Sequence, residues 1–264
     1  MIRAYYEIAK SQVKLDFAYG AWFWSSMVSS ILQMLVLFYF WRAVYANGPS
    51  ELHGYKLDDM ITYMVVASMI GGYTNGAGGK LAEDIRGGLV AIELMRPYDQ
   101  LSKLVALDLG GKFGYFLRNT VPILVLAFLF FHINLPPSWG AAAMFPLSTA
   151  LGVLIGAQFD LLVGIMAFYT VNIWGLRVLR DAVLLFFTGQ LVPVMLFPEW
   201  LQSVNRFLPF QSMVYVPVSI YTGALRGAEA WVQVGIQAAW LLGVFLLVRW
   251  TWSRAMRKVT IFGG

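Results

Sequence analysis

Two short runs in this sequence have the residue types of nucleotide-binding motifs. Gly79 and Lys80 follow a glycine-rich stretch, as in a phosphate-binding loop. That loop needs a glycine where Thr74 stands and a Mg²⁺-binding Ser or Thr where Leu81 stands. The apolar run 104–108 ends in an aspartate like a strand of an ATPase, but no strand-rich domain surrounds it. We therefore expect that this chain binds neither ATP nor Mg²⁺ by itself.

Other kinds of site chemistry have little support. The sequence has no Cys, which excludes disulfides, a thiolate nucleophile and a Cys-built zinc site. Its two histidines, His53 and His132, are too far apart to form a metal cluster. No Ser/His/Asp or paired-carboxylate arrangement lies at one predicted depth. We expect no catalytic residues, no metal ligands and no enzyme activity in this chain.

Polar side chains inside long apolar runs are the better candidates. Asp160 lies in such a run, where a charge at the bilayer centre costs about 2.5–3.5 kcal/mol on insertion scales. We expect Asp160 to face protein or water, either near Arg118 or protonated. It would serve as a substrate-pathway or gating contact, as a structural ion pair, or as a residue at the inner membrane interface. Gln33, Gln190 and Gln237 are interpreted as lining an interior in the same way.

The composition shows which solvent surrounds these residues. Hydrophobic residues make up 59% of the 264 residues and charged residues 12%, against about 45–50% and about 25% in soluble domains. A helix needs about 20 apolar residues to cross a bilayer. Six segments, of which the fifth is short, are predicted to do so: 21–45, 60–78, 113–133, 141–172, 182–197 and 231–250. The sequence predicts an all-α integral membrane protein with a single domain over residues 1–264.

The basic residues predict the orientation of the spans. Only Arg42, Lys56, Arg206 and Arg226 of the 19 basic residues fall on one side of the predicted bilayer. The opposite side, which includes Arg177 and Arg180, is therefore cytoplasmic, and both termini lie there. The net charge of +5 does not indicate nucleic-acid binding, because the basic residues lie at the ends of apolar segments.

Three further segments are not simple spans. Residues 1–19 form a predicted amphipathic helix at the membrane interface, which is either an anchor or a docking element. The coupling segment, residues 80–112, has a short helix broken at Gly87 and Gly88, and Pro97 can open a second helix. It is either a compact cytoplasmic unit or a charged linker. The outer segment, residues 198–223, is broken by three prolines, which predicts short re-entrant helices covered by protein or water.

Small residues predict close helix packing. Three GxxxG pairs, which let helix backbones approach one another, are Gly72 and Gly76, Gly110 and Gly114, and Gly152 and Gly156.

Several runs match the pattern of one known family. In the coupling segment these are Ile85–Leu89 and Leu94–Tyr98, and further along the chain they are 189–193, 197–201, 208–210 and Pro217. Their order, together with the amphipathic helix, the six spans and the broken outer helices, resembles the permease subunits of ATP-binding-cassette (ABC) transporters of the type-2 exporter class. The resemblance covers nearly the whole chain.

The resemblance implies partners and roles. Such permeases pair with an identical or homologous permease in the cell (cytoplasmic) membrane, in contact with lipid, and they receive ABC ATPase subunits that bind ATP and Mg²⁺. The ATPase would contact the coupling segment, and the charged residues expected to couple are Glu83, Asp84, Arg86, Glu93, Arg96 and Asp99. The substrate pathway would be lined by the first, second and fifth spans, with the outer segment as a gate. Residues expected in the pathway or gate are Gln33, Asp160, Gln190, Pro198, Trp200 and Phe210.

The main alternative is an ion-coupled secondary transporter or channel, in which Asp160 would be the coupling group. A purely structural scaffold explains neither the coupling segment nor the outer segment.

Overall fold

The structure, a computed structural model, describes residues 2–18, 20–131, 133–170 and 172–257. The first and last residues of the predicted helix 1–19, and His132, lie outside them. The described residues contain no β-strand beyond an isolated bridge between Leu52 and Tyr55. Their α-helices are α1 Ile2–Ala18, α2 Gly20–Ala46, α3 Leu57–Gly71, α4 Gly78–Arg86, α5 Leu89–Leu94, α6 Gln100–Tyr115, α7 Val121–Phe131, α8 Trp139–Ile165, α9 Trp174–Phe187, α10 Glu199–Arg206, α11 Tyr215–Thr222 and α12 Gly227–Met256.

The described chain has four helices that are long and apolar enough to span a membrane: Trp24–Ala46, Gln100–Phe131, Trp139–Phe168 and Gly227–Met256. They correspond to the first, third, fourth and sixth predicted spans. The third begins earlier than expected, because α6 rises directly out of the coupling segment. The all-helical membrane class is confirmed, with four such helices among the described residues, and the count of six spans stays a prediction.

The second and fifth predicted spans are helical over shorter lengths. Helix α3 has 15 residues and ends at Gly71, not at residue 78. The prediction of a helix over 182–197 is wrong after residue 187, because α9 is the 14-residue helix Trp174–Phe187. Gly189 has a left-handed backbone with φ +81°, and Pro193 lacks the N–H that a helix interior needs. Both residues stop α9 from continuing.

Helix α8 is the centre around which the other helices pack. It contacts α4, α11 and α12. A Cβ on Gly156 would lie 2.8 Å from the carbonyl oxygen of Thr74, and one on Gly152 would lie 2.5 Å from that of Met213. Only glycine permits such close backbone contacts. The close approach predicted for this GxxxG pair is therefore present within the chain.

The two ends of the bundle have separate apolar cores. Leu81 of α4, Val90 of α5 and Trp252 of α12 belong to one core, together with the last turns of α8. At the other end, α11 packs against the first turns of α8 and α12 through residues such as Ile220. The coupling segment and the described C-terminal residues therefore lie at one end, and the outer segment lies at the opposite end.

The helix that joins α6 to α7 widens at one place. Residues Phe116–Thr120 form a π-helical turn, and the N–H of Val121 bonds to the carbonyl of Phe116, five residues earlier. The following residue, Pro122, has no N–H to donate. Such wide turns are frequent at functional sites. Here the turn carries Asn119 and Thr120 toward the bundle interior.

Helix α1 packs along α6. A Cβ on Gly110 would lie 2.3 Å from the carbonyl oxygen of Ala9, and the backbone N–H of Asp99 donates to the Tyr5 hydroxyl at 3.1 Å. Arg3, Glu7, Lys10 and Lys14 of α1 are exposed. The amphipathic helix is thus fixed to the start of the long helix that leaves the coupling segment.

Candidate functional site

A polar cavity of about 340 Å³ lies among α2, α3, the π-turn and α9. Gln33 and Gln190, two of the predicted pathway residues, line it. Its other polar walls include Ser30, Asn75, Asn119, Arg180 and Asp181. The predicted first, second and fifth spans therefore supply walls of one cavity, and the third predicted span adds a further wall.

Two deeply buried polar groups face this cavity with unused hydrogen-bonding capacity. Asn119 is 2% exposed and Arg180 is 4% exposed. The Oδ1 atom of Asn119 and the Nε atom of Arg180 have no hydrogen-bond partner among the described residues. A buried polar atom without a partner costs about 1–3 kcal/mol. The cavity is therefore suited to a polar ligand group or to ordered water.

Asp160 lies behind the cavity wall. It forms a cluster with Arg180 and Asn75, named here the charge cluster. Its Oδ1 forms an ion pair with Arg180, not with Arg118. Its Oδ2 accepts from the backbone N–H of Gly78 at 2.7 Å and of Gly76 at 3.1 Å. Arg180 also donates to Asn75 Oδ1 at 2.7 Å. Asp160 is thus a buried ion-pair partner that caps the start of α4, and it is not a lining residue.

The remaining predicted pathway residues lie elsewhere. Pro198 precedes α10 as its N-cap, and the α10 residue Trp200 is 68% exposed. Phe210 packs edge-on against Phe159, with ring centroids 5.5 Å apart. These outer-segment residues are not part of the cavity wall.

Gln237 does not line the cavity either. It is fully buried and donates to the carbonyl of Ser212 at 2.7 Å, and it accepts from the Ser148 hydroxyl at 2.9 Å. It joins α8 and α12 to the outer segment, so its role is structural.

A second cavity, of about 480 Å³, adjoins the first on the side of the coupling segment. Gly72, Asn75 and Tyr115 line both cavities. The rings of Tyr115 and Tyr73 meet edge-on, with centroids 5.3 Å apart. Lys80 of α4 lies on the far side of the second cavity. The two cavities are therefore neighbours that share Gly72, Asn75 and Tyr115 as walls, and the second extends to α4.

The predicted coupling residues fall into two groups. Glu83, Arg86 and Arg96 are exposed, although Arg96 also pairs with Glu93 at 3.6 Å and donates to the Tyr98 hydroxyl at 2.9 Å. Asp84 is 4% exposed and pairs with Lys80 at 2.9 Å. The other two, Glu93 and Asp99, are partly buried and also have partners within the chain.

Glu93 fastens α5 to α6. Its Oε2 accepts from Lys103 Nζ at 2.5 Å and from the Tyr98 hydroxyl at 2.9 Å. Burial by itself would raise the pKa of Glu93, but these hydrogen bonds outweigh it and hold the pKa below its ordinary value of 4.5. The carboxylate of Asp99 caps α6 through the N–H of Ser102 at 2.7 Å. Burial opposes a low pKa for Asp99 as well, but Arg249, at 2.6 Å, and Ser102 lower it.

The lowered pKa of Glu93 predicts loss of stability in acid. A carboxylate with a depressed pKa stabilises the folded state above its unfolded pKa, and that contribution is lost as the pH falls through the folded pKa. We expect Glu93→Gln to lower the thermal unfolding midpoint in nanodiscs at pH 7, and the difference from wild type to shrink below pH 4.5. Glu199→Gln, at an exposed position of the outer segment, is the matched control. A difference that is the same at pH 7 and pH 3.5 would contradict this account.

The coupling segment also presents an exposed apolar surface. Leu89, Ile92, Leu94 and Met95, named here the docking surface, are 46%, 55%, 46% and 87% exposed. Gly88, in a left-handed conformation with φ +72°, turns the chain between α4 and α5. Val90 is buried and holds α5 on the core. Exposed apolar side chains grouped in this way are typical of an interaction site.

Arg180, Asn75 and Asn119 were missed as site residues by the sequence analysis. Arg180 was counted as one of the cytoplasmic basic residues, because the fifth span was predicted to start at residue 182. One sequence signal could have indicated that Arg180 is buried: it lies four residues before Leu184, so the two side chains share one helix face. They are the two buried residues of α9.

These features define a class of protein: a helical membrane protein with a polar interior cavity and an exposed docking surface at one end. A family model described as "ABC-2 family transporter protein" matches residues 31–263. The chain belongs to this family, and the predicted resemblance to ABC-2 type permeases is confirmed. It is a membrane component of a transport system. No curated protein matches the chain.

Proposed function

We propose that the chain is the permease subunit of an ATP-driven ABC exporter. It forms the substrate pathway together with a second permease, identical or homologous, and separate ATPase subunits bind and hydrolyse ATP with Mg²⁺. The chain lies in the cell membrane with both termini on the cytoplasmic side, and it has no catalytic residue of its own.

The observation that carries this proposal is the docking surface. Its four apolar side chains lie on a short helix and the turn that follows it, and the exposed charges of Glu83, Arg86 and Arg96 lie close by in the sequence. Charged side chains this near in the sequence make burial of the docking surface in the hydrocarbon core of the membrane unfavourable. A soluble protein partner satisfies both the apolar side chains and the charges.

The coupling segment has the support that force transmission requires. Helix α4 packs against α8, Val90 and Leu81 anchor the segment in the core, and α6 continues from it into a spanning helix. A force on the docking surface would be transmitted to the walls of both cavities. Helices α3 and α6 flank α4 and α5 in the chain, and residues at or next to their ends line the cavities.

The exposed side of the cavity supports a second permease. Asp181 lines the cavity, but its side chain is 58% exposed. A carboxylate next to lipid is costly unless protein or water covers it. A second permease against α2 and α9 would cover Asp181 and close the pathway, and the outer segment would then act as its gate.

Removing two exposed charges beside the docking surface tests the ATPase contact. We expect Arg86→Ala combined with Arg96→Ala to reduce the ATPase recovered with the tagged permease by about tenfold, equivalent to about 1.4 kcal/mol of binding free energy. Transport-stimulated ATP turnover should fall in parallel. The matched control removes two exposed arginines of the predicted outer side, Arg42→Ala with Arg206→Ala, and should leave both measurements unchanged.

If ATPase recovery and turnover survive the first double substitution, the coupling segment is only a linker. Transport that continues after ATP depletion would favour the ion-coupled alternative. That alternative requires Asp160 to exchange a proton or cation, yet this carboxylate is 1% exposed and has an arginine and two backbone N–H groups as partners.

A further inference from the structure

We infer that Arg180 is a positioning residue that links the state of the cavity to the first turn of helix α4. This inference rests on the proposed function, in which the cavity is part of the substrate pathway and α4 belongs to the segment that receives the ATPase. Arg180 lines the cavity. Its ion-pair partner Asp160 does not, and it holds α4 instead.

The link is short and continuous. The Arg180 guanidinium pairs with Oδ1 of Asp160, and Oδ2 of the same carboxylate accepts the N–H groups of Gly76 and Gly78. These are charge-assisted hydrogen bonds, which are about twice as strong as neutral ones. They also satisfy backbone donors at the start of α4, where no intrahelical acceptor exists. One carboxylate thus connects a cavity-wall cation with a helix N-terminus.

The start of α4 also fits tightly against α8. A Cβ on Gly78 would lie 2.0 Å from the carbonyl oxygen of Asp160, and one on Gly164 would lie 2.5 Å from the carbonyl oxygen of Gly78. Backbones this close have no side chain between them to absorb a shift. A displacement of the Asp160 carboxylate is passed to the first turn of α4 through its hydrogen bonds to Gly76 and Gly78.

Arg180 already has an alternative acceptor on the cavity side. Its Nη1 atom lies 3.0 Å from Oδ1 of Asp181, which lines the cavity, and its Nε atom has no partner among the described residues. An acidic group that enters the cavity competes with Asp160 for the guanidinium. A buried carboxylate that loses its counter-ion is strongly destabilised, so the Asp160 side chain moves with the guanidinium. This movement weakens its bonds to Gly76 and Gly78.

The absence of Cys in the sequence makes a site-specific test possible. Ser30, on the α2 wall of the cavity, is replaced by Cys in the full chain in nanodiscs. The thiol is modified with sulfonatoethyl methanethiosulfonate, which adds an anion, or with methyl methanethiosulfonate, which adds a small neutral group. Intact-mass spectrometry verifies each adduct. Hydrogen–deuterium exchange is then measured for peptides covering residues 72–86.

We expect the sulfonate adduct to speed amide exchange at the start of α4 about fivefold, because exchange follows the local opening equilibrium. The neutral adduct should have no such effect. Adding Arg180→Gln should abolish the response to the sulfonate, whereas Arg118→Gln, the matched loss of an arginine from the π-turn, should preserve it. A merely structural ion pair would change basal exchange in Arg180→Gln but would give no response to the adduct.

Unchanged exchange with the sulfonate in place would overturn the inference, and so would an equal response in the Arg180→Gln background. The Ser30→Cys comparison leaves the charge cluster intact, so it decides the question even if Arg180→Gln does not fold. No ATPase is present in this exchange experiment, so a negative result would not bear on the proposed ATPase contact. That contact is tested separately by the arginine substitutions beside the docking surface.

Discussion

Replacing Ile92 and Met95 together by aspartate is expected to reduce recovery of the ATPase subunit with the tagged permease by about 100-fold or more. Both side chains belong to the docking surface and are 55% and 87% exposed, so the substitutions leave the permease core intact. A hot-spot side chain at the centre of an interface costs about 2 kcal/mol or more when it is truncated, and the new carboxylates would be buried without partners. Affinity purification followed by quantitation of the ATPase measures the effect.

The control makes one apolar-to-aspartate change at the opposite end of the bundle. Phe207 is 81% exposed and follows α10 in the outer segment, so Phe207→Asp should leave ATPase recovery at the wild-type level. Recovery that is equally low in both variants would point to general misfolding. Recovery that survives the double aspartate substitution would remove the docking surface from the proposed function.

The substitution Gly78→Ala is expected to be the most damaging single change inside the chain. The new Cβ would lie 2.0 Å from the carbonyl oxygen of Asp160, so α4 must move away from α8 and give up the hydrogen bond from Gly78 to Asp160. Overpacking of this kind costs about 3 kcal/mol. For a chain of this size that corresponds to a fall of about 6–12 °C in the thermal unfolding midpoint, measured in nanodiscs.

Gly235→Ala is the control for this substitution, because a Cβ at Gly235 of α12 meets no atom within 4 Å. Alanine in a helix interior is favoured over glycine by about 1 kcal/mol, so the midpoint should stay the same or rise. A Gly78→Ala variant as stable as wild type would mean that α4 does not pack against α8 as described.

The membrane class and most helix positions were predictable because they depend on local properties of the chain. Apolar runs of sufficient length marked the four long helices, and glycine and proline marked the breaks. Gly88 is an example: it was predicted to interrupt a short helix, and its left-handed backbone separates α4 from α5. The prediction failed for residues 188–197 because it gave more weight to their average hydrophobicity than to the helix-breaking effect of Gly189 and Pro193.

The candidate site was predictable only in part. Gln33 and Gln190 were found because a polar side chain inside an apolar run is costly unless it faces an interior. The same reasoning selected Asp160, but it could not find the partner, which lies on a helix whose start was misplaced. The partner depends on which faces of α8 and α9 meet, and hydropathy contains no information about that.

The sequence by itself determined that this is a membrane protein, where its four long apolar helices lie, and which family it resembles, because burial in lipid and helix formation depend on composition and on near neighbours. Only the tertiary structure decided that Asp160 pairs with Arg180 and caps α4, that Asp84, Glu93 and Asp99 serve contacts within the chain, and that four apolar side chains of the coupling segment stay uncovered. The pairings of Asp160 and Asp99 join different helices, because their partners Arg180 and Arg249 are 20 and 150 residues away in the sequence. They follow from the three-dimensional packing of helices, in which glycines such as Gly78 and Gly156 allow the backbones to meet.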